Sequence, residues 1–169
     1  FIKKINKKNI PKWIMGYAPT KSKNTIFIYV NDSRLLKKST LKKLINHELA
    51  HVFTNKINSR IPTWIKEGVS IYLANQITFS SISKGDWNFI YNPKRRNIFG
   101  HKWNYLVNKI NAYNSAGIII QSLIELMGKQ KFICLIKLYE PSDNLESAIK
   151  RCLGRNNRWS FLRRIKKLH

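Results

Sequence analysis

Residues 40–69 read TLKKLINHELAHVFTNKINSRIPTWIKEGV, and the fold follows from how this stretch divides. Leu41, Leu44, Ile45, Leu49 and Val52 recur at helical spacing, with Ser39 or Thr40 placed to cap the amino terminus, which predicts a helix running to about Asn55. Pro62 marks the first turn of a second helix carrying Trp64, Ile65, Val69, Tyr72 and Leu73. The turn between them is long enough to fold the second helix back on the first, and Gly68 is expected to let the two backbones approach closely.

Upstream, residues 25–30 are β-branched and aromatic and read as a strand, with residues 13–18 as its hairpin partner. Residues 1–12 are rich in Lys and Asn and read as a loosely held arm. Downstream, residues 76–100 read as a long irregular stretch, either a functional loop or one holding short strands. The remainder is helical in pattern over residues 105–127, 130–139, 145–153 and 159–168, broken at Gly128, Pro141 and Gly154. No internal repeat or linker divides the chain. The expectation is one domain over residues 1–169 of α+β class, with a small amino-terminal sheet packed on the first helix and a mostly helical carboxy-terminal half.

The 169 residues carry 32 Lys and Arg against 8 Asp and Glu, a formal charge of +24. At 43% apolar the chain can bury a core, and its longest apolar run is well short of the roughly 20 residues a membrane-spanning helix needs. The sequence opens at Phe1 without a Met, so a trimmed or mature chain is expected, and an extracytoplasmic or membrane-anchored location through an upstream segment is favoured over a cytoplasmic one. Cys134 and Cys152 do not have metal-knuckle spacing and read as core residues or bystanders. The cations fit either a solvated basic surface or attraction to an anionic surface or polymer. With no zinc-finger spacing, RRM signature or glycine-rich phosphate loop, sequence-specific nucleic-acid binding is not expected.

The scarcity of carboxylates makes each one worth locating, and two of the eight fall in the opening stretch. His47 and His51 are four residues apart on a helix, so both imidazoles face one way and can share a metal, while Glu48 projects beside them. A chance match to this HExxH spacing is expected at about three in a thousand for this composition. Catalytic zinc usually takes three protein ligands and leaves a fourth position to water. Glu67, sixteen residues after His51 on the second helix, can supply the third.

With these residues the chain resembles the gluzincin branch of the zincin metallopeptidases, and within it the small bacterial peptidase MA-like domains related to the aminopeptidase N catalytic module. Those domains follow an HExxH helix with a Pro-x-Trp-[Ile/Leu]-x-Glu-Gly helix, matched here by Pro62, Trp64, Ile65, Glu67 and Gly68. Tyr113 and Gly117 resemble the family's Tyr-x-x-x-Gly helix, and residues 16–28 its edge strand for substrate backbone. The likeness spans residues 13–162 through about a dozen specific positions. It implies a zincin-like fold, one Zn2+ per chain held by His47, His51 and Glu67, a peptide or protein substrate, Glu48 as general base and Tyr113 as oxyanion donor, with Tyr72, Tyr105 and His101 as alternatives to Tyr113.

Two departures accompany the likeness. Many gluzincins carry an Asp four residues after the third ligand to orient a zinc-bound histidine. Ile71 stands there, leaving a backbone carbonyl, Ser70 or Asn75 for that task. No acidic anchor for a peptide amino terminus is visible in the edge-strand region, which leaves aminopeptidase activity unsupported and makes an endopeptidase or an unknown amide hydrolase equally open. A SprT-like protease fits less well, because it expects a third histidine ligand and often a zinc ribbon. The alternative of another class is a cationic binding module for an anionic surface or polymer that keeps a residual zinc site.

Overall fold

The computed structural model describes residues 16–17, 25–28, 37–78, 111–141 and 145–153. These residues are mostly helical. They form two two-residue strands, β1 (Gly16–Tyr17) and β2 (Phe27–Ile28), and five helices: α1 (Lys38–Ile57), α2 (Thr63–Leu73), α3 (Ala112–Met127), α4 (Lys129–Leu138) and α5 (Leu145–Leu153). The expected arm at residues 1–12, the loop over 79–100, the helix start at 105–110 and the terminal helix over 159–168 lie outside the described residues. None of the described helices is long and apolar enough to cross a membrane.

The expected hairpin forms: β1 and β2 pair antiparallel, Gly16 opposite Ile28 and Tyr17 opposite Phe27, with β1 lying against α1. α1 starts slightly earlier than its composition suggests. The Lys37 carbonyl accepts the N–H groups of Thr40 and Leu41, so Ser39 and Thr40 fall within the first turn and no side chain caps it. At its other end the Asn58 N–H reaches the Thr54 carbonyl at 2.9 Å.

The buried face of α1 also differs from the expected stripe. Leu44, Glu48, Ala50 and Thr54 point inward, whereas Leu49, Phe53 and Ile57 are 39%, 60% and 43% exposed. Apolar residues are distributed around this helix, so their spacing selects no single face, and packing on α2 and β1 decides. Thr54 satisfies its buried hydroxyl by donating to the Ala50 carbonyl at 2.8 Å.

α2 and α3 form the centre of the molecule. Trp64, Ile65 and Val69 of α2 pack with Ala116, Ile119, Ile120 and Leu123 of α3, and Phe132, Leu135, Ile136, Ala148 and Ile149 of α4 and α5 close the far side. Gly68 does permit a close approach, but to α3 rather than α1. A Cβ there would stand 2.6 Å from the Ala116 carbonyl oxygen and 2.6 Å from Ile120 Cγ1. Gly117 answers from α3, where a Cβ would meet Ile71 Cγ2 at 2.7 Å. The glycine of the second motif therefore fastens α2 to the helix that carries Tyr113.

Asn58 ties the end of α1 to the end of α4. Its amide donates to the carbonyls of Ile136 at 2.9 Å and Tyr139 at 2.8 Å, and its Oδ1 accepts the Arg60 N–H at 3.0 Å. Cys134 and Cys152 are half-buried free thiols on α4 and α5. They are neighbours in space: burial, then a hydrogen bond with Cys134 and the charge of that group, pushes the Cys152 thiol up to about 12 against the pull of Arg151.

Candidate metal centre

Packing of α2 on α1 brings Glu67 over the two histidines. His47 Nε2 and His51 Nε2 are 3.2 Å apart, and Glu67 Oε2 lies 3.4 Å from the first and 3.5 Å from the second. The three atoms thus form a nearly equilateral triangle. Three corners of a tetrahedron around an ion with bonds of about 2.0–2.1 Å stand about 3.3–3.4 Å apart. The observed edges match that spacing, and two imidazole nitrogens with one carboxylate oxygen suit zinc or a similar first-row ion. All three side chains are half-buried.

The electrostatics fit the same picture. Burial works against charge on Glu67, yet hydrogen bonding and attraction to His47 and His51 hold its carboxyl down at about 2. Burial likewise works against a cationic His47, but the Glu67 carboxylate, the Gln76 side chain and the charge of Glu48 together raise it above the ordinary imidazole value. The cluster therefore favours a positive charge at its centre, here a proton and with metal present an ion.

Glu48 sits on the inward face of α1, 5% exposed. Burial raises its carboxyl above the usual range, and the charges of His51 and His47 only partly offset this. A carboxylate held above its ordinary value beside two metal-type histidines is a stronger proton acceptor than a free one.

A cavity of about 320 Å³ opens beside His47, lined by Ile71, Gln76, Thr78, Asn111, Tyr113 and Asn114 as well. Tyr113 thus shares a cavity with a candidate ligand. Among the described residues Glu48, His51 and Glu67 do not line it. Of the alternatives to Tyr113, Tyr72 packs against the hydrophobic core, while Tyr105 and His101 lie outside the described residues.

The partner of His47 is a residue the sequence did not single out. His47 Nδ1 donates to Gln76 Oε1 at 2.9 Å. Ile71 is buried against Gly117, and the Ser70 hydroxyl is buried with no hydrogen-bond partner among the described residues. Asn75 adopts the left-handed conformation, φ 53°, that closes α2. The Asn75 and Gln76 N–H groups bond back to the Tyr72 and Ile71 carbonyls at 3.2 and 3.0 Å, which turns Gln76 toward α1. An Asn just past a helical pattern is the signal that could have announced this reversal.

Compared with models of protein families, with curated proteins and with solved structures, the chain matches none.

Proposed function

We propose that the protein is a zinc-dependent metallopeptidase of gluzincin type with a zincin-like fold, on the strength of one observation: three ligand atoms at tetrahedral spacing, supplied by HExxH and a following helix. His47, His51 and Glu67 hold the ion. When bound, zinc acidifies a water and polarises the scissile carbonyl. Glu48 takes a proton from the attacking water and delivers it to the leaving amine, a role suited to its raised pKa. Tyr113 donates its hydroxyl to the developing oxyanion from the cavity it shares with His47.

The test is metal content with peptide-library cleavage. Wild type should carry one zinc per chain and cleave, and Glu48→Gln should keep the metal and lose cleavage by at least about a hundredfold. Absence of any first-row metal after zinc reconstitution would overturn the ligand assignment.

A second reading, a cationic module for an anionic surface or polymer, draws on the outward face of α1. There the exposed Leu49, Phe53 and Ile57 stand among exposed Lys38, Lys42 and Lys56. It predicts steeply salt-dependent binding that survives Glu48→Gln and is lost on reversing these lysines.

A further inference from the structure

We propose that Gln76 is a positioning residue that fixes His47 as its Nδ1–H tautomer, and that Asn114 acts through it by holding the backbone of Thr78. The functional meaning rests on the zinc reading above, whereas the tautomer belongs to the metal-free protein and can be measured there.

An amide oxygen only accepts, so the 2.9 Å contact with Gln76 Oε1 places the proton on His47 Nδ1. In the neutral ring this leaves the Nε2 lone pair directed at His51 Nε2 and Glu67 Oε2, 3.2 and 3.4 Å away. Gln76 is delivered to that point from both sides. Behind it, the left-handed Asn75 and the bond from the Gln76 N–H to the Ile71 carbonyl reverse the chain over the last turn of α2. Ahead of it, Asn114 treats Thr78 as a strand neighbour would: its Oδ1 accepts the Thr78 N–H at 2.8 Å, and its Nδ2 donates to the Thr78 carbonyl.

Asn114 is 6% exposed on α3, and α3 is fastened to α2 through Gly68 and Gly117. The short strap 76–78 is therefore anchored to both central helices, and its one long polar side chain is spent on His47. An amide accepts the same bond as a carboxylate without bringing a second negative charge against the ligands. This is an alternative to the Asp that the apolar, buried Ile71 cannot supply.

Two substitutions separate hydrogen bonding from packing. Gln76→Met keeps length and removes the acceptor, while Gln76→Glu keeps the acceptor. In nitrogen-15 imidazole spectra of metal-free protein, taken above the pH at which the spectra themselves show His47 to have become neutral, wild type and Gln76→Glu should show the His47 proton on Nδ1, and Gln76→Met should lose that preference. Chelator competition should give zinc binding about 10–100-fold weaker in Gln76→Met and within about threefold of wild type in Gln76→Glu. Asn114→Ala should weaken zinc binding in the wild-type background and have little further effect with Gln76→Met. If Asn114→Ala does not fold, Asn114→Asp, which keeps the acceptor for the Thr78 N–H and turns the donor into a charged oxygen facing the Thr78 carbonyl, takes its place.

An unchanged tautomer and affinity in Gln76→Met would overturn the role of Gln76, and equal losses in both backgrounds would overturn that of Asn114. If wild type took up no metal, the zinc reading would fall and the tautomer spectra alone would decide the role of Gln76.

Discussion

Where α2 crosses α3, a single methyl group on Gly68 would collide with a backbone carbonyl, whereas along the outward face of α1 Phe53 stands 60% exposed. The first region is built by burial. Its interface is apolar, and polar side chains such as Ser115 and Ser122 bond back to the Asn111 and Ile118 carbonyls four residues earlier at 2.8 and 2.9 Å. The second buries a carboxylate and a threonine beside Leu44 and Ala50 and leaves three large apolar residues partly exposed. A helix shaped only by folding would bury Phe53 before Glu48. On the proposed function, the contrast fits a helix placed for its metal ligands on a rigid base of α2 and α3.

The largest effect that could break this contrast is at Gly68. Gly68→Val should destabilise the protein by about 3 kcal/mol, read as a lower urea midpoint, because the Ala116 carbonyl belongs to helix backbone and cannot yield. Even Gly68→Ala should be a net loss, despite the gain of about 1 kcal/mol in helix propensity. A neutral result would mean that α2 and α3 are not in such close contact.

On the α1 side, Glu67→Gln should weaken zinc binding by about a hundredfold or more, roughly 2.7 kcal/mol, since it removes the anion from the triangle. Calorimetric titration checks this, and retained affinity would show that the carboxylate is no ligand. Asn58→Ala should cost about 2 kcal/mol of stability by leaving the Ile136 and Tyr139 carbonyls without the amide donor, again visible in urea.

In the metal-free protein the ligand cluster should also shape stability against pH. Glu67 is depressed to about 2, so its contribution is present above its unfolded value near 4.5 and is lost as pH falls from there toward 2. His47 is raised, so its contribution is full below 6.5 and is lost as pH rises through its folded value. Stability from the pair is therefore greatest between about 4.5 and 6.5. Thermal melts of Glu67→Gln should show a flatter profile at both ends, and an unchanged profile would contradict the ion pair. The smallest effect is Phe53→Ser, which should alter stability by less than about 0.5 kcal/mol despite removing a large apolar group, because that group is mostly in solvent.

Much of the centre was legible in residue order. Four-residue spacing on a helix aligns His47 with His51 whatever else the chain does, and a second helix beginning at Pro62 offers Glu67 on the return. The hairpin of β1 and β2 was likewise readable from β-branched composition and its polar borders. The inward face of α1 was not, since its apolar residues surround the helix. Nor was the destination of Gly68, because a glycine announces a close approach without naming the partner.

By itself, then, the sequence determined helix positions, the shared face of the two histidines and the availability of one acid on the next helix, all consequences of local backbone geometry. Tertiary structure alone decided that Glu67 completes a triangle of 3.2 to 3.5 Å. It also decided that α3 brings Tyr113 and Asn114 to the cavity beside His47, and that Gln76 holds its Nδ1. Those contacts join residues 29 and 36 positions apart in the chain, as between His47 and Gln76 or Thr78 and Asn114. At such separations local preference carries no information, and only the packing of the helices sets which side chains meet.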